Sequence, residues 1–392
     1  RHGAGRLRGQ TEVLPLKKET FRALDSGPGY ATPTAKPFMG RGGSKMRRIL
    51  FALVTAAIIC APAFAFHDEG VAHCNGCHTM HNSQDGALVD PDSPDGNPWL
   101  LNDATPSDVC LGCHATGLGA VFANTVLSPA PEKGSGNFIF LLEDNLNDGH
   151  EGSLHPIPGD AAGHNVVAPG HGLAADGTLT QAPGGTFSAS ILGCTSCHDP
   201  HGNANFRLLY GARLVQDSYT FVNPAPVGDG LSIFFGSESN SSHTAYNDGW
   251  SAWCGNCHGD FHNNNTQSVH PSGQTLGGSI QTTYNLYNGT VDQTGGVAAT
   301  AYLAAVPFED AAVTTGSTAG PAASSQVMCM TCHRAHAMSA PDAGRWDFNV
   351  TFLHEDGAES GSWPIPDPYA NDNQRSLCNK CHRQDVDDLN PF

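Results

Sequence analysis

The chain has 392 residues, 46 of them Gly and 26 Pro, and aromatic residues make up only 8%; so much turn-forming residue weighs against long helices and wide sheets. The net charge of −18 is unevenly placed: residues 1–65 hold 11 Lys/Arg against 3 Asp/Glu, and residues 66–392 hold 8 against 34. A body this acidic repels phosphate backbones, which excludes nucleic acid as a partner.

Residues 1–45 mix Gly, Pro and basic residues without helical or strand periodicity, and are expected to be upstream, non-native sequence with no folded role. Met46 then opens a short basic start (Arg47, Arg48), an apolar run Ile49–Cys60 and the small-x-small signal Ala63-Phe64-Ala65. Residues 46–65 therefore read as a secretory signal peptide, with Phe66 as the mature N-terminus. A membrane anchor is the rival, but the apolar run is too short to span a bilayer and Pro62 follows it closely. A lipoprotein signal at Cys60 would want a small residue where Ile59 stands. The expected mature protein is secreted through the periplasm and carries no transmembrane span.

Twelve of the 13 Cys lie in residues 66–392 as six pairs, each followed at once by His. The cysteines are Cys74 and Cys77, Cys110 and Cys113, Cys194 and Cys197, Cys254 and Cys257, Cys329 and Cys332, and Cys378 and Cys381. The histidines are His78, His114, His198, His258, His333 and His382. This is the attachment signature of c-type haem. Two thiols separated by two residues reach the two vinyl groups of one porphyrin, and the adjacent imidazole lands beneath the iron. Disulfides would not call for His after every second Cys. Zinc sites would need paired units converging on one metal, against irregular spacing here. Thioredoxin-like motifs come singly. Six covalently bound haem c groups are the expected cofactors, with those six His as proximal ligands.

Residues 66–392 offer 13 further His but only four Met (Met80, Met328, Met330 and Met338), so bis-His ligation is the economical assignment. It implies low potentials, since Met in the second axial position raises them. The distal candidates fall into two groups. His81, His201 and His336 each follow a proximal His by three residues, a spacing that points the ring away from its own haem and toward a neighbour. His155, His164 and His270 stand in loops suited to presenting one imidazole. His262 is held in reserve, and His67, His73, His150, His171, His243 and His354 are expected to face solvent. Which candidate serves which iron is left open.

The motifs begin at 74, 110, 194, 254, 329 and 378, with no fixed repeat length and hence no solenoid. With roughly 55 residues per haem, no cofactor can have its own conventional domain. The expected fold is a single multihaem cytochrome domain over residues 66–392. It should be mostly irregular, with short helices and few short strands wrapped round a stack of six haems. Helical turns are predicted near Cys74, Cys254, Cys329 and Cys378 and over Ala298–Leu303. A short strand is predicted over Asn137–Leu142, and surface loops at Pro183–Gly185 and Gly228–Gly230.

The stretch FHDEGVAHCNGCHTMHNSQDG resembles the hexahaem outer-surface cytochromes of metal-reducing bacteria, of the outer-membrane cytochrome S type that polymerises into extracellular filaments. GHNVVAPG, APGGTF, CTSCHDPHG, WCGNCHGDFHN, AYLAAVPFED, CMTCHRAHA and QRSLCNKCH continue the likeness over most of residues 66–392. The resemblance implies six bis-His haems in an unbroken stack. It also implies that His81 leaves its own protomer to ligate the haem held by Cys329, Cys332 and His333 of the next subunit. Such a head-to-tail contact does not close and builds an open homopolymer. The chain is shorter than the family pattern between His333 and Cys378, and differs from it after His114.

The function so implied is long-range electron transfer through six stacked haems, as a protomer of an extracellular conductive filament. Donors would be redox partners in the cell envelope, and acceptors extracellular, such as metal oxides. A monomeric periplasmic or surface shuttle is the alternative. A multihaem oxidoreductase is a weaker one, because catalysis needs an iron with an open position and no motif replaces its His.

Overall fold

The computed structural model describes residues 74–115, 121–122, 134–142, 146–147, 156–157, 159–216, 219–231, 238–262, 272–290, 294–348, 352–353, 368–369 and 374–383. The chain divides into two units, Arg1–Pro62 and Ala63–Phe392, and every described residue belongs to the second. The expected leader and signal segments lie outside the described residues, as do His155 and His270 among the distal candidates.

Among the described residues five short α-helices carry much of the regular structure: α1 (Pro106–His114), α2 (Cys194–Cys197), α3 (Trp250–Cys254), α4 (Gly277–Leu286) and α5 (Cys329–Cys332). Four of them contain haem-attachment cysteines, and the first and sixth motifs form 3₁₀ turns at Cys74–Gly76 and Leu377–Lys380. Helix α1 shows why such a short segment holds. Thr105 caps it by accepting from the Asp108 amide, Pro106 sits in the first turn, and acidic Asp108 faces the helix dipole. None of the described helices is long and apolar enough to cross a membrane.

Strands are equally short and pair only as antiparallel couples: Ser83–Gln84 with Ala87–Leu88, Arg213–Leu214 with Thr220–Phe221, Val227–Asp229 with Ala245–Asp248, and Gln274–Thr275 with Gln326–Val327. A fifth couple joins Leu146–Asn147 to Pro156–Ile157. Apolar side chains gather in three separate clusters. The first holds Tyr284, Tyr302, Leu303, Phe308, Trp346 and Leu377; the second Leu111, Phe138, Phe140, Val166 and Leu173; the third Tyr246, Trp250, Met328 and Met330. Each backs onto an attachment motif, so the side-chain interior is divided among the motifs.

Three local expectations need correction. Phe138–Leu142 is a 3₁₀ helix, not a strand, because consecutive apolar residues here serve a three-residue period with Phe138, Phe140 and Leu141 buried. Gly228 lies in a strand whose approach to the Ala245 carbonyl leaves no room for a Cβ, so residues 228–229 are sheet rather than loop. Pro183–Gly185 is, as expected, a turn at the surface with Pro183 exposed, and a Cβ on Gly185 would collide with the Cys257 carbonyl. Finally, the helix expected over Ala298–Leu303 stops at Thr300, while the longest of the described helices, Gly277–Leu286, begins at two glycines that hid it.

Candidate haem-ligation sites

Each described attachment motif closes on itself in the same way. The amide of the proximal His donates to the carbonyl of the first Cys at 2.8–3.0 Å in His78, His198, His258, His333 and His382. In α1 the cysteines and His114 lie on one continuous helix. None of the twelve motif cysteines is in a disulfide, which leaves every sulfur available for a thioether.

The imidazoles are oriented by main chain. Nδ1 of His78 lies 3.0 Å from the Trp99 carbonyl, that of His198 2.7 Å from Arg207, that of His258 2.7 Å from Pro183, and that of His333 2.8 Å from Asp342. A ring that donates from Nδ1 to a carbonyl presents an unprotonated Nε2, the form in which an axial His binds iron. Three of these carbonyls belong to one recurring device. Trp99, Arg207 and Asp342 each stand at positive φ (53°, 50° and 58°), followed by a second left-handed residue, Leu100, Leu208 or Ala343. Non-glycine residues in this region are strained. The strain is held by paired backbone bonds. Thr79, Asp199 and Arg334 donate to Leu100, Leu208 and Ala343, and Asn102, Tyr210 and Arg345 donate to Cys77, Cys197 and Cys332.

The device occurs in motifs one, three and five, the same motifs that carry a His three residues on. The two features together reveal a pairing. The rings of His78 and His201 are parallel within 5°, with centroids 6.4 Å apart. Two imidazoles sharing one iron through metal–nitrogen bonds of about 2.0 Å stand at about this separation. The His after motif three thus faces the proximal His of motif one. His336, after motif five, stacks on Phe138 at 4.4 Å, and of the histidines that act on it electrostatically His198 is the strongest. His81, after the first motif, is exposed.

His164 is built differently. Its Nδ1 donates to the Ala335 carbonyl at 2.7 Å, and its ring lies 5.9 Å from that of His258 at 55°. This places His164 beside the fourth motif's proximal His. Burial pulls His164 down to about 4 and His336 to about 3, so both are neutral near pH 7, as ligation requires. His262 stays beside the fourth motif, where its ring packs over Gly255 and Gly273 and burial lowers its pKa. Met328, Met330 and Met338 are absorbed by packing, each under 9% exposed, and Met80 is 78% exposed beside His81.

Neighbouring motifs meet at their cysteines, Cys110 beside Cys194 and Cys254 beside Cys329. Ser107 and Ser251, each three residues before a motif, accept from the amides of Cys194 and Cys329 at 3.2 and 3.3 Å. Motif two is thereby tied to motif three, and motif four to motif five.

Two histidines expected in solvent are not there. His243 is fully buried, its ring stacked 3.7 Å from Tyr302, with Nδ1 and Nε2 at 2.9 and 2.8 Å from the Thr244 and Ser317 carbonyls. His171 is four-fifths covered, with Nδ1 at 3.3 Å from Asp108. Sequence reasoning also missed the carbonyl anchors, which no side-chain pattern encodes, and the paired serines, which the shared Ser-x-x-Cys of motifs two and four could have suggested.

The residues present fit covalent haem at each described motif, on the evidence of the free thiol pairs, the anchored imidazoles and the parallel His78–His201 rings. No family model matches the chain. The C-type cytochrome OmcS of Geobacter sulfurreducens is 32% identical over 431 residues, covering 87% of this chain and 99% of that protein. Among solved structures, the outer membrane cytochrome S filament from the same organism matches with a TM-score of 0.68, and the cryo-EM structure of the OmcS nanowires with 0.66. Both are 30% identical and cover 82% of this chain and 100% of theirs.

Proposed function

Because the chain belongs to the family of the C-type cytochrome OmcS, we propose that it holds six haem c groups in an unbroken row and serves as a protomer of an extracellular electron-conducting filament. It is an electron-transfer protein and not an enzyme. Bound haems supply one-electron carriers close enough for hopping; the polypeptide attaches, orients and spaces them. The observation that carries the reading is the His78–His201 pair, whose spacing and parallelism match two axial ligands of one iron.

The same geometry supports polymerisation. The His after motif three faces motif one, and extending that relation, the His after motif five would serve motif three, whose His198 acts on it electrostatically. By this rule His81 has no earlier motif to serve within its own chain, and His333 has no later motif to supply its partner. The two vacant roles complement one another between copies: His81 of one protomer serves the fifth motif of the next. Electrons would enter from the cell envelope after export through the periplasm and leave to extracellular acceptors such as metal oxides. The acidic body, with 34 Asp/Glu against 8 Lys/Arg over residues 66–392, keeps such a polymer soluble and favours cations as bridges.

The test combines mass spectrometry of the secreted protein with electron microscopy. The expected result is six covalent haems and filaments, and His81→Ala abolishes the filaments while leaving six haems and one five-coordinate iron per chain. Fewer than six haems in the unaltered protein, or filaments that survive His81→Ala, would overturn the reading.

A further inference from the structure

The second and fourth motifs share a feature that the other four lack, a serine three residues before the first cysteine: Ser107 before Cys110 and Ser251 before Cys254. Both serines are 2% exposed. Each turns its hydroxyl away from its own motif and onto the next one. Ser107 Oγ accepts from the Cys194 amide at 3.2 Å and Ser251 Oγ from the Cys329 amide at 3.3 Å. The same hydroxyls lie against the sulfurs of those two cysteines.

The receiving helices are built to take this bond. The first amides of a helix have no acceptor within it. In α2 and α5 the residue before the helix, Gly193 or Met328, is extended and donates to the hydroxyl three residues on, Ser196 at 2.9 Å or Thr331 at 3.1 Å. The amide of the first cysteine is left for the incoming serine. Gly193 is fitted to the approach, since a Cβ there would come within 2.7 Å of Ser107 Oγ. The two junctions otherwise have different surroundings: Leu111 of α1 packs in the Phe138–Phe140 cluster, and Trp250 of α3 with Tyr246, Met328 and Met330. What both junctions keep is the serine and the meeting of first cysteines, Cys110 beside Cys194 and Cys254 beside Cys329.

We propose that Ser107 and Ser251 are positioning residues for electron transfer, each clamping the first cysteine of the following motif and so fixing how closely two porphyrin edges approach. The pairs so fixed are motifs two and three, and motifs four and five. A thioether carries the edge of its porphyrin with it, so the placing of two adjacent cysteines becomes the placing of two haem edges, on which hopping depends steeply. The inference rests on the reading that these four motifs carry haem.

The test is circular dichroism of the haem-loaded protein in the Soret region, after mass spectrometry has counted the haems. Porphyrins held close at a fixed angle split this band into a bisignate couplet, which shrinks as they separate or lose their fixed angle. Ser107→Ala and Ser251→Ala should each reduce the couplet, and the double variant should reduce it more than either. Ser107→Thr and Ser251→Thr, which keep the hydroxyl, should retain it. A serine that serves stability alone would lower the melting temperature and leave the couplet of the folded protein as it was. An unchanged couplet in the double alanine variant with six haems bound, or an equal loss in the threonine variants, would overturn the inference. Should the alanine variants not retain six haems, amide hydrogen exchange of the unaltered protein decides. The Cys194 and Cys329 amides must exchange more slowly than that of exposed Cys74 by about tenfold or more, and equal rates would overturn the inference. Fewer than six haems in the unaltered protein would instead count against the electron-wire reading itself.

Discussion

Around Cys77 and around Cys332 the backbone follows the same course: a proximal His, a second His three residues on, and a left-handed turn whose carbonyl anchors the first ring. The surroundings differ. Leu100, in the first turn, is 53% exposed; Ala343, its counterpart in the fifth, is 6% exposed. Asn102 makes an exposed bond to the Asn75 carbonyl, whereas Arg345, in the matching position, is fully buried and spans Met330, His333, Ala304 and Tyr246. One local scaffold therefore tolerates opposite environments, because its own backbone bonds suffice to set the imidazole. What surrounds the scaffold decides stability and contacts, not the direction of the ring.

The comparison breaks most readily at Arg345. Arg345→Met should destabilise the haem-loaded protein by about 3 kcal/mol, since three carbonyls and a hydroxyl lose their donor, while Asn102→Ala should cost under about 1 kcal/mol. Urea unfolding midpoints would show the gap, and equal costs would mean that the two sites are energetically alike. A smaller difference is expected within the turns themselves. Ala343→Asp puts a carboxylate into a buried position and should cost about 2 kcal/mol, against about 0.5 kcal/mol or less for Leu100→Asp on the surface. The smallest difference between the two regions should lie at the left-handed residues themselves. A β-branched residue at positive φ costs about 1–2 kcal/mol, so Asp342→Val and Trp99→Val should destabilise by similar amounts. Unequal losses in thermal melting would show that burial enters even the backbone term.

Legibility in the sequence followed chemistry. Thioether attachment demands two cysteines and a histidine at fixed spacing, so all six motifs are readable as letters. The histidines three residues on were readable as a class, and their partners were not, because His78 and His201 meet across 123 positions. The anchors were invisible for another reason: Trp99, Arg207 and Asp342 contribute a carbonyl, which every residue has. His243 looked solvent-facing in SSHT, and only Tyr302, 59 residues away, makes it a core residue.

What the amino-acid order alone determined is the cofactor chemistry, the acidic body and the scarcity of regular structure, since covalent attachment, charge and turn propensity are local properties. The tertiary structure decided which imidazoles face each other and how the odd-numbered motifs share one anchoring turn. Those depend on carbonyls and ring faces brought together across long stretches of chain, and such groups acquire a direction only when the backbone has folded.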